Sequence, residues 1–285
     1  MEIKASQVKE LRDMSGVAMM ECKRALVDCE GDIQKALDLL RSNSALKAEK
    51  KASRVAADGI LRAFSGENYS TLIEINSETD FASKDANFLG FANNVEEFIS
   101  QNKLLNISEI QESEIEEKRK SLVQTIGENI QLRRLETIEY DAEMNAGMYM
   151  HSDSKLASVV VVSGGDESLA KDIAMHVAAF NPLCLSQDDL DSEILEREKA
   201  IYMVQAEESG KPKEIMEKMI EGKLKRYLSE VSLLSQSFVK DPDLTIKQLL
   251  EKNDATIQSY SRLKVGEGIE VETKNFADEV AEQLK

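Results

Sequence analysis

The chain has 285 residues, 42% hydrophobic and 31% charged, a globular balance with length enough for two domains or for one domain with appendages. Its net charge of −17, with aromatics at only 5%, disfavours general binding to a phosphate backbone. No apolar run approaches the roughly 18–20 residues of a membrane span.

The scarcity of breakers, 3 prolines and 13 glycines, predicts a helix-rich chain. The charge is unevenly spread: residues 1–54 are near neutral, and the remainder is strongly acidic. That asymmetry suggests two surfaces with different tasks, although solubility alone would also account for it. The polar N-terminus has no signal-peptide core. Three cysteines, Cys22, Cys29 and Cys184, form no pair with metal-ligand spacing. Both features point to a reduced, cytoplasmic setting.

Residues 6–41 read as three short amphipathic helices. Their apolar stripes are Val8, Leu11 and Met14, then Met19, Cys22, Leu26 and Cys29, then Ile33, Leu37 and Leu40. Ser15-Gly16 and Gly31-Asp32 separate them. The lysine-rich stretch around 42–54 reads as a solvated, partly helical linker. A hairpin is predicted over 57–64 and 69–76, its second strand alternating in the period of a half-buried strand. SETDFASKD (Ser77–Asp85) then precedes a helix bearing Phe88, Phe91, Val95, Phe98 and Ile99. A further helix is expected over 113–126, ended by Gly127, with strand character returning from 128 to 140.

A similar unit follows. Leu156–Val162 reads as a strand, Gly164-Gly165 as a turn, and Leu169, Ile173, Val177 and Phe180 as a helical face. Strands, a turn and an apolar helix thus occur twice, which suggests two related α+β halves. Between 187 and 228, two charged helices with narrow apolar seams flank the turn SGKP at 209–212, the pattern of an antiparallel hairpin. Strand character over Tyr260–Glu272 and a helix over Asn275–Leu284 close the chain.

Catalytic constellations are weak. His176 sits on an apolar helix and reads as a satisfied core or interface residue rather than a ligand. No second His or Cys adjoins either histidine. Gly210-Lys211 runs into Pro212 without the upstream glycine of a phosphate loop, and Gly266 and Gly268 lack the third glycine of a dinucleotide loop. Asp80-Phe81 is the odd feature. Phe81 is either a core residue of the following helix or an aromatic anchor at an interface.

Two segments carry a resemblance to a known family. LRDMSGVAMMECKRAL (Leu11–Leu26) and EINSETDFASK (Glu74–Lys84) resemble the two signatures of bacterial elongation factor Ts. VAADG at 55–59, IGEN at 126–129, IAMHVAA at 173–179, GKPKEI at 210–215 and QSFVKD at 236–241 are also similar to family segments. Ser15 and Ala82 depart from the common Thr and Val, and Ala82 is expected to loosen the contacts behind Phe81.

The resemblance implies a helix-rich α+β fold. A ubiquitin-associated-like three-helix module with its linker would occupy 1–54. Two related core subdomains would occupy 55–140 and 141–265, the second carrying a coiled-coil hairpin at about 187–228. A C-terminal helical module would occupy 266–285. It implies a guanine-nucleotide exchange factor that binds elongation factor Tu in its GDP form, without covalent chemistry. No cofactor, metal, nucleotide site, direct nucleic-acid contact or membrane contact of its own is implied. By resemblance Thr79, Asp80, Phe81 and Ala82 would disturb the partner's magnesium and phosphate site. Arg12, Met19, Met20, Lys23, Ile126, Gly127, His151 and Val239 would make other partner contacts. The rival readings are an adaptor that binds without exchanging nucleotide, and an enzyme using His151, His176 and acidic residues.

Overall fold

A computed structural model of the chain describes residues 3–270. The described chain divides into two compact units, one of residues 3–64, 72–137 and 263–270, the other of 65–71 and 138–262.

The first unit begins with helices α1 (Ala5–Ser15), α2 (Met19–Asp28) and α3 (Ile33–Lys51). Their predicted stripes meet in a small core of Val8, Leu11, Cys22, Leu26, Leu37 and Leu40, among others. Asp32 caps α3 by accepting from the Lys35 amide at 3.0 Å. The lysine-rich stretch is not a linker: α3 runs on to Lys51, with Ser44 and Ala48 buried. Ala48 belongs to the next core, and that burial outweighs the weak helix propensity of Ser42-Asn43-Ser44.

Strands β1 (Asp58–Ser65) and β2 (Tyr69–Ser77) form the predicted hairpin. The single turn α4 (Asp80–Ser83) follows, then α5 (Ala86–Asn102), α6 (Ile107–Gln111), α7 (Glu114–Ile126) and β3 (Gln131–Glu139). The sheet order is β1-β2-β3. Ile73 and Ile75 of β2 pack with Phe88, Phe91, Val95 and Ile99 of α5 and Val123 of α7. The expected half-buried alternation of β2 is absent, because Ser70 to Ser77 are all buried. Its other face carries Glu74, whose carboxylate accepts from the Gly266 amide at 2.8 Å and from Arg133 at 3.1 Å.

The second unit contains β4 (Met144–Met150), which the sequence did not reveal, β5 (Leu156–Ser163), and α8 (Glu167–Phe180). It continues with α9 (Ser192–Glu208), α10 (Lys213–Val231), β6 (Ser237–Phe238), β7 (Asp241–Thr245), α11 (Ile246–Lys252) and β8 (Thr256–Lys264). Strands β4, β5 and β8 form one sheet in that order, with β4 and β5 antiparallel and Gly147 opposite Val160. Val160, Val162, Ile173, Val177, Phe238 and Ile257 share the core. Gly147 lies so close to α8 that a Cβ there would sit 2.0 Å from the Lys171 amide nitrogen. Gly147→Ala is therefore expected to lower stability by at least about 1 kcal/mol, measured by urea unfolding, because backbone must shift to admit the methyl.

Helices α9 and α10 form a hairpin, with Lys223 donating to Gln205 at 2.6 Å across it. Only Ala206 is buried in either helix. The expected terminal helix over Asn275–Leu284 lies outside the described residues. The closing strand, β8, begins at Thr256 and ends at Lys264, and residues 271 and 272 of the range expected for it lie outside the described residues.

Candidate functional site

The Thr79-Asp80-Phe81-Ala82 segment is built at the exit of β2. Thr79 is extended, with φ −129° and ψ 160°, and its hydroxyl accepts from the Ala82 amide at 3.3 Å. That cap starts α4, a single turn. Ala82 and Ser83 point inward, at 4% and 2% exposure, while Phe81 stands 82% exposed. Phe81 is thus an exposed surface ring and not a core residue of the following helix. Ala82 is covered, whereas Phe81 points away from the core. Asp80 pairs with Lys84 at 2.7 Å, and this bond holds the Lys84 ammonium above its ordinary pKa.

The segment is tied to the end of α7. Gly127, at φ +86°, terminates α7 in the left-handed region. Just beyond it, Glu128 accepts from the Thr79 amide at 2.9 Å and the Thr79 hydroxyl at 2.7 Å. In return Glu78 accepts from the Asn129 amide at 2.6 Å. Asn129 also donates through its side chain to the Arg54 carbonyl at 2.7 Å, and Arg54 pairs with Glu78 at 3.4 Å. Lys51, the last residue of α3, donates to the Gly127 carbonyl. Ile126 is half-buried against the core of the unit.

The three-helix head adjoins the same place. A Cβ on Gly16, in the turn between α1 and α2, would lie 3.6 Å from the Thr125 hydroxyl, one residue before Ile126. Met19 and Met20 open α2 with 51% and 61% exposure. Arg12 and Lys23 are exposed, with no ion-pair partner among the described residues. Lys47 of α3 pairs with Glu21 and fixes α2 beside α3. One unit thus carries Arg12, Met19, Met20, Lys23, Thr79–Ala82, Ile126 and Gly127, and the end of α7 links its head to the Phe81 turn.

His151 and Val239 belong to the second unit. His151 is exposed, its Nδ1 2.8 Å from Asp153, which lowers the Asp153 pKa. The Val239 amide donates to Nδ1 of buried His176 at 3.2 Å, so the ring proton sits on Nε2 and donates to Gln236 at 2.9 Å. Burial pushes the His176 pKa down, which favours this neutral form. His176 is therefore a satisfied core residue that shapes the Val239 segment. Phe180, placed on the apolar face by its spacing, is instead half exposed and stacks on His176 at 4.6 Å. With Val239, Phe238 and Pro242 it lines a groove of about 350 Å³.

Glu78, Glu128 and Asn129 escaped the sequence reading as site residues. Their signal was adjacency: Glu78 precedes Thr79, and Glu128-Asn129 follows the helix-ending Gly127. The described residues contain no cluster of three or more His, Cys, Asp or Glu able to hold a metal ion. Among them, no helix is long and apolar enough to cross a membrane.

A family model described as "Elongation factor TS" matches residues 78–267, about two thirds of the chain. Curated relatives named "Elongation factor Ts" match essentially end to end. The Hahella chejuensis protein is 48% identical over 285 residues, covering 99% of each chain. The Francisella tularensis subsp. novicida protein is 46% identical over 289 residues, again covering 99% of each. The protein from Thioalkalivibrio sulfidiphilus is 44% identical, covering 100% of this chain and 99% of its own.

Proposed function

The chain belongs to the elongation factor Ts family, the translation elongation factors of that name, and from that premise we propose that it binds elongation factor Tu in its GDP form and speeds replacement of GDP by GTP. On this reading it acts in the cytoplasm and performs no covalent chemistry. The head of α1 to α3 is the ubiquitin-associated-like module of the family, and α9 with α10 is its coiled-coil hairpin. Arg12, Met19, Met20 and Lys23 grip the GTPase from the head, and Ile126 and Gly127 from the core. His151 and Val239 contact it from the second unit. Asp80 and Phe81 disturb its magnesium and phosphate site from outside.

The observation that carries the reading is Phe81, a bare aromatic ring on a fixed single turn. Such a side chain does little for its own fold and much for an interface. A thousandfold faster GDP release requires a barrier lower by about 4 kcal/mol. Burial of one Phe yields about 1.5–3 kcal/mol, so Phe81 needs the additional grip of the head and the second unit. Exchanger and nucleotide then weaken each other's binding by the same factor.

The test is release of fluorescent GDP from elongation factor Tu of the same organism, in excess GTP. A catalytic amount of this chain is expected to accelerate it. Binding without acceleration would favour an adaptor, and the absence of both binding and acceleration would refute the proposal. Lys23→Ala is expected to weaken affinity for elongation factor Tu several-fold while the melting temperature stays within about 2 °C, because Lys23 is exposed and makes no ion pair among the described residues. Equal affinity in a calorimetric titration would remove Lys23 from the interface.

A further inference from the structure

Phe81 is not held by burial, and α4 is a four-residue turn too short to persist alone. Its orientation must come from bonds made by its neighbours. The neighbours form a reciprocal latch, in which each of two segments offers a carboxylate to a backbone amide of the other. Glu128 takes the Thr79 amide and hydroxyl at 2.9 and 2.7 Å, and Glu78 takes the Asn129 amide at 2.6 Å.

We propose that Glu128 is the positioning residue of the Thr79-Asp80-Phe81 turn, with Glu78 closing the latch from the other side. This rests on the exchange-factor reading of that turn. Donation of the Thr79 hydroxyl proton to Glu128 leaves its lone pairs free to cap the Ala82 amide, so one carboxylate fixes the cap as well as the chain direction. Both residues act before the partner arrives. The ring is presented in one orientation, and the entropy of ordering it is not taken from the binding step. Through Lys51 on Gly127 and Asn129 on Arg54, the same loop is fastened to the end of α3, which gives the latch a firm base.

The experiment compares wild type with Glu128→Ala, Glu128→Gln, Phe81→Ala and the double variant Phe81→Ala/Glu128→Ala. In the free protein, Glu128→Ala is expected to speed hydrogen exchange at the Thr79 and Ala82 amides, with the melting temperature held. Unchanged amide exchange would overturn the latch, whatever the protein's activity. In the GDP-release assay, Glu128→Ala is expected to lower the maximal rate about tenfold, the worth of roughly one charge-assisted hydrogen bond, with the half-saturating concentration of elongation factor Tu little changed. Glu128→Gln is expected to recover most of the rate, since its carbonyl oxygen still accepts from the Thr79 amide. In the Phe81→Ala background, Glu128→Ala is expected to add nothing. Effects that multiply in the double variant, or a loss confined to affinity, would show that Glu128 does not act through Phe81. Faster amide exchange in Glu128→Ala, with no catalysed release even by wild type, would leave the latch standing and refute the exchange-factor reading instead.

Discussion

Replacing Phe81 with alanine is expected to slow catalysed GDP release by about ten- to a hundredfold and to leave the protein as stable as before. The first half follows from area. A Phe ring buried at an interface contributes about 1.5–3 kcal/mol, and its truncation forfeits that amount if the ring is engaged in the release transition state. The second half follows from exposure. At 82% exposed the ring fills no cavity, so no void opens on its removal. Alanine is also the better helix former inside α4. Stopped-flow release of fluorescent GDP, paired with thermal unfolding of the same preparation, separates the two halves. Unchanged release would remove Phe81 from the mechanism. A fall in melting temperature would mean that the ring supports the fold after all.

The elements that could be read from the sequence were those fixed by local chemistry. Asp32 announced a helix start, and it accepts from a backbone amide of the helix it opens. Gly127 announced a helix end, and it adopts the left-handed conformation required there. The missed elements depend on distant partners. Strand β4, MNAGMYM, is poor in β-branched residues and forms because β5 and α8 supply a surface for it. The polar face of β2 suggested solvent, but the turn around Gly266 covers it, some 190 residues later in the chain.

The candidate site divides in the same way. Its motif was legible at Thr79-Asp80-Phe81, yet periodicity could not say which way Phe81 points, because one helical turn has no period. The latch joins residues 49 and 51 positions apart, Thr79 with Glu128 and Glu78 with Asn129, and spacing in one sequence does not reveal such pairs. For Phe180 the error ran the other way. It continues an apolar stripe, but α8 ends at that residue, and the ring is left half exposed against His176.

The largest loss of stability is expected at Glu74. This carboxylate is fully buried and accepts from the Gly266 amide at 2.8 Å, from Asn76 at 3.0 Å, from Arg133 at 3.1 Å and from Arg134. Burial alone would raise its pKa. The Gly266 amide, Arg134 and Asn76 together outweigh burial and hold the carboxyl below its ordinary value of 4.5. Removal of one member of such a group costs about 3–5 kcal/mol, because the remaining partners stay buried and unpaired. Here Arg133 and Arg134 retain 24% and 26% exposure and can turn toward water, which places Glu74→Ala near the lower end, at about 3 kcal/mol. Glu74→Gln keeps an acceptor and loses the charge, so its cost at neutral pH is expected to be smaller.

The pH dependence separates charge from shape. A carboxylate with a depressed folded pKa contributes stability that is fully present above its unfolded pKa and is lost as pH falls through the folded value. Wild type is therefore expected to exceed Glu74→Gln in urea midpoint at pH 7 and to lose that advantage on acidification below about pH 4.5. A difference between the two that stayed constant down to pH 3 would mean that shape, not charge, holds the Gly266 turn against β2. Loss of the charge advantage would instead identify an ionic anchor for the strand that leads, five residues on, into the Phe81 turn.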